Sequence, residues 1–196
     1  NWPVMKAGLV HIPPFWMVSL RFTLAVPVIA ALVLAMMRRA PRLNRGDVPV
    51  ILAVALLQFA GQMALVTFAL RFVPAGTASI LLYTTPLWLL LYDRLVAGHA
   101  LGRLRVVQTV LSAAGCTMIL MSGTTGLWWP LGLIVLASML WAAAMRIIQT
   151  HPWQGSTLDA LFWQFLLAGV VTGGLAWAVE GGFRADYMLP PALWLM

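Results

Sequence analysis

The sequence predicts an all-α integral membrane protein, and three observations carry that reading. Of 196 residues, 62% are hydrophobic and only 9% are charged. The mean hydropathy is +0.93. Apolar runs of about 20 residues, the length that spans a bilayer as a helix, recur between short loops rich in Arg, Pro and Gly. A soluble domain carries about 25% charged residues, and a globule of this size has no way to bury so much apolar surface. A soluble enzyme, a nucleic-acid binder and a disordered chain are thereby excluded. The net charge of +7 and pI near 11.1 read as Lys and Arg gathered in cytoplasmic loops, with a lipid bilayer and no nucleic acid as partner. A single cysteine, Cys116, excludes an intrachain disulfide and a thiolate zinc cluster, and its neighbours Ala113, Ala114, Gly115 and Thr117 make it a small buried residue.

The elements follow in order. Helix one is represented by its end, residues 1–10, before His11, Pro13 and Pro14 break the pattern. Helix two covers 14–37 and stops at the basic loop 38–46. Helix three covers 48–70, with Asp47 as N-cap and Pro49 in the first turn. Residues 71–76 turn the chain into helix four, 75–97, and Gly98 and Gly102 punctuate the next loop. Helix five covers 105–121, the polar turn 122–126 follows, and helix six covers 127–149. His151, Pro152 and Gly155 form a loop before helix seven, which opens on the capping box Ser156-Thr157-Leu158-Asp159 and ends near Val179. A polar loop from Glu180 to Asp186 leads to an eighth helix from Pro190. The chain begins at Asn1 and ends inside an apolar run, so it reads as a fragment of a longer protein.

Alternate loops carry the cations. Arg38, Arg39, Arg42, Arg45, then Arg94, Arg103, Arg105, then Arg146 fall in one set of loops; Lys6, Arg71 and Arg184 fall in the other. The first set is expected to face the cytoplasm. An internal repeat is also visible. Asn1-Trp2-Pro3-Val4-Met5-Lys6 resembles Leu140-Trp141-Ala142-Ala143-Ala144-Met145-Arg146, and Ser19 to Ala25 resembles Phe162 to Ala168, pairing Arg21 with Gln164. If helix one corresponds to helix six, the unit is an odd five helices. The second copy then inserts upside down, which gives the inverted repeat of secondary transporters. The expected units are 1–122 and an incomplete 127–196, within a ten-helix protein of which this chain covers the end of helix one to the start of helix eight.

Several stretches together resemble the EamA type of the drug/metabolite transporter superfamily. They are Asn1-Trp2 to Lys6, Arg21-Phe22, Ala69-Leu70 before Pro74-Ala75, Ala78-Ser79, Tyr83-Thr84-Thr85-Pro86, the run from Gly98 to Gly115, and Trp141-Ala142. Their order along the whole chain carries the resemblance. One departure stands out: many members read Gly-Glu-Arg after helix four, whereas this chain reads Gly98-His99-Ala100, so a role for that carboxylate does not carry over. The resemblance implies a ten-helix, multi-pass protein of the cell membrane, the inner membrane in a bacterium. It also implies export or exchange of small metabolites such as amino acids, without a cofactor.

Polar residues inside spans mark candidate substrate contacts, because each is costly unless it faces protein or water. Arg21 lies roughly 10 Å into helix two. It reads either as the cation for a substrate carboxylate or as a structural Arg on helix-end carbonyls or headgroups. Lys6, at the outer end of helix one, reads as a side chain snorkelling to the headgroups or as a site residue. Gln58 and Gln62, four apart, share a face of helix three as interhelical glue or cavity lining; Gln164 has the same two readings. Tyr83 precedes Pro86, whose missing N–H kinks or locally opens helix four, so the pair reads either as a place that binds polar groups or as packing alone. Trp2, Trp141 and Trp163 are cavity candidates, while Trp16, Trp128, Trp129 and Trp153 belong to the interfacial belt. The substrate-binding set is Trp2, Arg21, Gln58, Gln62, Tyr83, Trp141 and Gln164. The acids read as caps (Asp47, Asp159), loop residues (Glu180, Asp186) and one helix-end residue, Asp93 beside Arg94. No central carboxylate is placed for a proton relay, and no phosphate loop is present for ATP drive.

Two other functions compete with a carrier of small solutes. An intramembrane hydrolase needs a nucleophile beside a base, but Ser79, Ser112 and Ser138 lie in helices while His11, His99 and His151 lie at helix ends. A non-transporting membrane subunit has no need of two inverted halves.

Overall fold

A computed structural model describes residues 2–98, 102–121 and 128–184. The eighth helix, the 122–126 turn, His99, Asp186 and the side chains of Cys116 and Ser112 lie outside the described residues. Seven helices account for the rest of the expectation. They are α1 (Trp2–Gly8), α2 (Pro14–Met37), α3 (the span Arg45–Ala69), α4 (Ala75–Leu82 continued by Thr85–Ala97), α5 (Arg103–Met121), α6 (Trp129–Thr150) and α7 (Thr157–Glu180). Among the described residues, five spans are long and apolar enough to cross a membrane: α2, α3, α4, α6 and α7. The protein is an all-α, multi-pass membrane protein.

Among the described residues, Arg38–Arg45, Arg94 and Arg146 gather at one end of the bundle, where Arg39 meets Asp159 and Arg146 meets Asp93. We call this the basic end. Helices α2 and α7 lie antiparallel along their length. The first turn of α2 bonds the last residue of α7 at one end, and the residue two beyond α2 bonds the first turn of α7 at the other. Helix α3 packs against both α6 and α7, α6 touches α3 and both pieces of α4, and α1 lies on the first piece of α4.

Among the described residues, two apolar clusters pack inside the bundle. The larger lies toward the end opposite the basic loops and joins Met5, Met17, Val66, Leu70, Leu81 and Ile134, with Trp2 and Trp16 on its edge. The smaller is aromatic and sits between α2, α3 and α7. Phe22, Phe59 and Phe165 meet with ring centroids 5.6, 5.2 and 4.8 Å apart, the edge-on and tilted arrangement that ring quadrupoles favour. Leu24, Val28, Leu32, Leu34 and Met36 of α2 stay exposed, as expected of a face turned to lipid.

Candidate functional site

The acids are where sequence reasoning needs most correction. Asp47 occupies the cap position of α3 but makes no cap bond, because the turn Arg45–Asp47 holds it in helical backbone (φ −90°, ψ −12°), whereas a capping side chain acts from extended backbone. Its carboxylate turns to the α6–α7 loop. It meets His151 Nε2 at 2.9 Å and accepts the N–H groups of Gln154 at 3.1 Å and Gly155 at 2.8 Å. Asp159 likewise leaves its capping box. Ser156 Oγ caps α7 by accepting the Leu158 N–H at 3.3 Å, while Asp159 takes a bidentate Arg39 at 2.6 and 3.1 Å and the Arg42 N–H at 3.1 Å. A cation within reach outcompetes a backbone donor for a nearly buried carboxylate. The same hydrogen bonds hold the Arg39 guanidinium pKa above its ordinary value.

At the opposite end Glu180, expected in a loop, is the last residue of α7 and caps α2. Pro13 and Pro14 have no N–H, so the first orphan donors of α2 are Phe15 and Trp16, and Glu180 accepts both at 3.0 Å. Trp16 Nε1 adds a bond to the Gly181 carbonyl at 3.1 Å. Lys6 does not snorkel to headgroups. Its ammonium donates to the Val73 carbonyl at 2.6 Å, joining α1 to the α3–α4 turn.

Between these end contacts α2 and α7 touch through small residues. Ser19 Oγ donates to the Gly169 carbonyl at 3.0 Å. A Cβ at Gly169 would lie 2.9 Å from Thr23 Oγ1, so the Thr23 hydroxyl would have to shift, and 3.4 Å from the Thr23 nitrogen, in ordinary contact; glycine suits this close approach.

Helix α2 carries Pro27 yet stays α-helical throughout, as does α7, whereas α3 and α4 change their winding. Residues Ala55–Gln62 of α3 wind as a π-helix, a form that recurs at functional sites. Gln62 is buried, and Gln58 Oε1 is buried with no hydrogen-bond partner. Thr67 Oγ1 and Trp163 Nε1 are in the same condition. Helix α4 is interrupted at Tyr83–Thr84. There Thr84 N–H bonds Leu81 O and Leu87 N–H bonds Thr84 O, three residues back instead of four. The hydroxyls of Thr84 and Thr85 take the Leu81 and Leu82 carbonyls at 2.7 and 2.6 Å. Leu82 is the carbonyl that Pro86, lacking an N–H, leaves free. Thr84 Oγ1 also meets Ser138 Oγ of α6 at 2.9 Å and accepts Trp88 Nε1 at 3.2 Å.

The candidate residues fall into separate groups. Arg21 is partly buried and turns toward α1, its Nη1 2.8 Å from Met5 Sδ; Trp2 packs on the cluster that contains Met5. Gln58 and Gln62 sit on the π segment, which packs against α6 and α7, the helices carrying Trp141 and the buried Gln164. Tyr83 stands apart at the α4 interruption, 71% exposed. Sequence reasoning missed the Thr84–Ser138–Trp88 network, although two threonines directly before a mid-helix proline signal hydroxyls available for freed carbonyls. It had no signal for the π-helix. Among the described residues no group of three His, Cys, Asp or Glu side chains gathers to hold a metal.

Antiparallel spans, helices irregular inside the membrane and buried polar atoms left without partners are features of solute carriers. The profile of the EamA-like transporter family matches residues 1–121, and the chain belongs to that family, one of transporters and not of enzymes. It is 27% identical over its whole length to a protein of Rhizobium johnstonii named riboflavin transporter, of which it covers 62%. It is 26% identical, over 95% of its length, to the uncharacterized transporter YvbV of Bacillus subtilis, of which it covers 59%. A shorter match, 33% identical over 45% of the chain, is to the uncharacterized transporter YoaV of the same organism, of which it covers 30%. The chain thus spans about six tenths of the length of the first two relatives. No solved structure matches it significantly.

Proposed function

We propose that the chain is the greater part of a carrier that exports or exchanges small metabolites, amino acids or related compounds, by alternating access. Its two units, 1–122 and 127–196, are inverted copies, and α2 and α7 are the equivalent helices. The observation that carries this reading is the interior of α3 and its neighbours. Gln58 Oε1 is an acceptor and Trp163 Nε1 a donor, both buried and both unpartnered. A buried polar group without a partner costs about 1–3 kcal/mol, which a solute able to hydrogen-bond would relieve. The antiparallel course of α2 and α7 supports the inversion, and the family match over 1–121 supports the first unit. In this reading Trp2, Arg21, Gln58, Gln62, Tyr83, Trp141 and Gln164 contact the substrate, with Arg21 supplying charge and the glutamines supplying neutral hydrogen bonds.

Flux into liposomes holding the full-length protein tests the function, with labelled amino acids and riboflavin as the panel. Uptake above empty liposomes for at least one solute is expected; none for any would remove the carrier reading. Arg21→Lys tests the site, since an ammonium does not reproduce bidentate guanidinium geometry. We expect transport of zwitterionic or anionic solutes per folded molecule to fall at least about tenfold with yield unchanged. Equal transport in the two proteins would make Arg21 scaffolding.

A further inference from the structure

We propose that the second piece of α4, Thr85–Ala97, is the moving gate at the basic end of the bundle, hinged at Thr84 and closed by the Arg146–Asp93 pair, while α2 and α7 form the static frame it moves against. This rests on the carrier reading above and adds the part that moves.

A hinge within a helix is cheap to bend where the i→i−4 ladder has already been given up. Thr84 and Leu87 bond three residues back, and a short tightened stretch inside a longer helix is a recurrent hinge. Pro86 removes one donor for good, and the hydroxyls of Thr84 and Thr85 follow the Leu81 and Leu82 carbonyls through small rotations without exposing them to lipid. The Thr84–Ser138 contact fixes the pivot to α6. Beyond it lies a lever of 13 residues, about 19 Å at 1.5 Å per residue. Near its far end Arg146 Nε of α6 lies 3.1 Å from Asp93 Oδ1. Both side chains keep some exposure, 25% and 14%, while the paired oxygen Asp93 Oδ1 itself is buried.

The frame has the opposite design. Helices α2 and α7 are bonded at both ends by Glu180 and Asp159 and drawn together between them at Gly169 and Gly173. A Cβ on Gly173 would stand 3.9 Å from Ser19 Cβ, within the range of about 3.5–4.5 Å that a disulfide spans.

The test uses the full-length protein, carrying Cys116→Ala, in lipid nanodiscs and needs no ligand. Spin labels at Met36 and Leu95, both exposed, report the lever against the frame. Labels at Met36 and Trp177, both exposed on α2 and α7, report the frame itself. Two distances are expected for 36–95 and a single narrow one for 36–177. Asp93→Asn is expected to raise the longer 36–95 population about two- to fivefold, the worth of a partly exposed ion pair. An oxidised Ser19→Cys/Gly173→Cys pair is expected to leave both 36–95 distances in place. A single 36–95 distance as narrow as 36–177 and unmoved by Asp93→Asn would overturn the gate. Loss of the two 36–95 distances on locking 19 to 173 would overturn the static frame. Both readouts hold whether or not the liposome assay finds a substrate.

Discussion

The α2–α7 pair and the α3–α4–α6 group solve the same problem in contrary ways. Both must place backbone and polar side chains inside a bilayer. In the pair the helices stay α-helical for 24 residues each, with Pro27 of α2 the one interior proline, small residues bring them together, and charged groups at the ends take up orphan donors. In the group the α-helical ladder is interrupted twice, and buried polar atoms such as Gln58 Oε1 stay unsatisfied. Satisfied contacts stabilise one arrangement. Unsatisfied ones leave capacity for a solute or for a second arrangement, and stability in a carrier is expected to be divided in this way.

Substitutions can break the contrast or sharpen it. Gly169→Val should have the largest effect. Its Cβ would stand 2.9 Å from the Thr23 hydroxyl and already touch the Thr23 backbone, leaving no room for two further methyls, at about 3 kcal/mol, the upper end for overpacking. Thermal unfolding in detergent should show a clear loss; an unchanged midpoint would mean that the close approach contributes nothing. Asp159→Ala should follow at about 2 kcal/mol. Breaking a fully buried pair costs about 3–5 kcal/mol, but Arg39 is 29% exposed and recovers water. A loss equal to that of an exposed charge would make the end clasp ornamental. Gln58→Leu should act in the other direction. Removing a buried acceptor that has no partner stabilises by about 1 kcal/mol, while transport in the liposome assay falls. A destabilised Gln58→Leu would show that the amide serves packing and would remove the main support for the substrate reading.

The helices were legible because spanning a membrane imposes a length and a composition. Expected bounds of 14–37 for α2 and 48–70 for α3 compare with Pro14–Met37 and an α3 ending at Ala69. The site was legible only as residue types. Hydropathy finds Gln58 and Arg21 as polar residues in apolar runs, but the pattern of residues announces neither the π winding of Ala55–Gln62 nor the burial of Gln58 Oε1 without a partner. The acids misled for a related reason. Asp47 and Asp159 sit where local rules place caps, and local rules are blind to His151 and Arg39, which are 104 and 120 residues away along the chain.

By itself the sequence determined that the chain crosses a membrane as helices, roughly where each begins and ends, and which loops share their positive charge. These follow from the transfer cost of each stretch of chain into lipid, which neighbouring residues settle among themselves. Only the tertiary structure decided that Glu180 caps α2, that Asp47 and Asp159 tie two loops together, that Gly169 sets the α2–α7 spacing, and that Thr84 bonds Ser138. Each of these joins groups far apart in the chain. The free energy of such contacts depends on which donor arrives within about 3 Å of which acceptor, and that is fixed by packing.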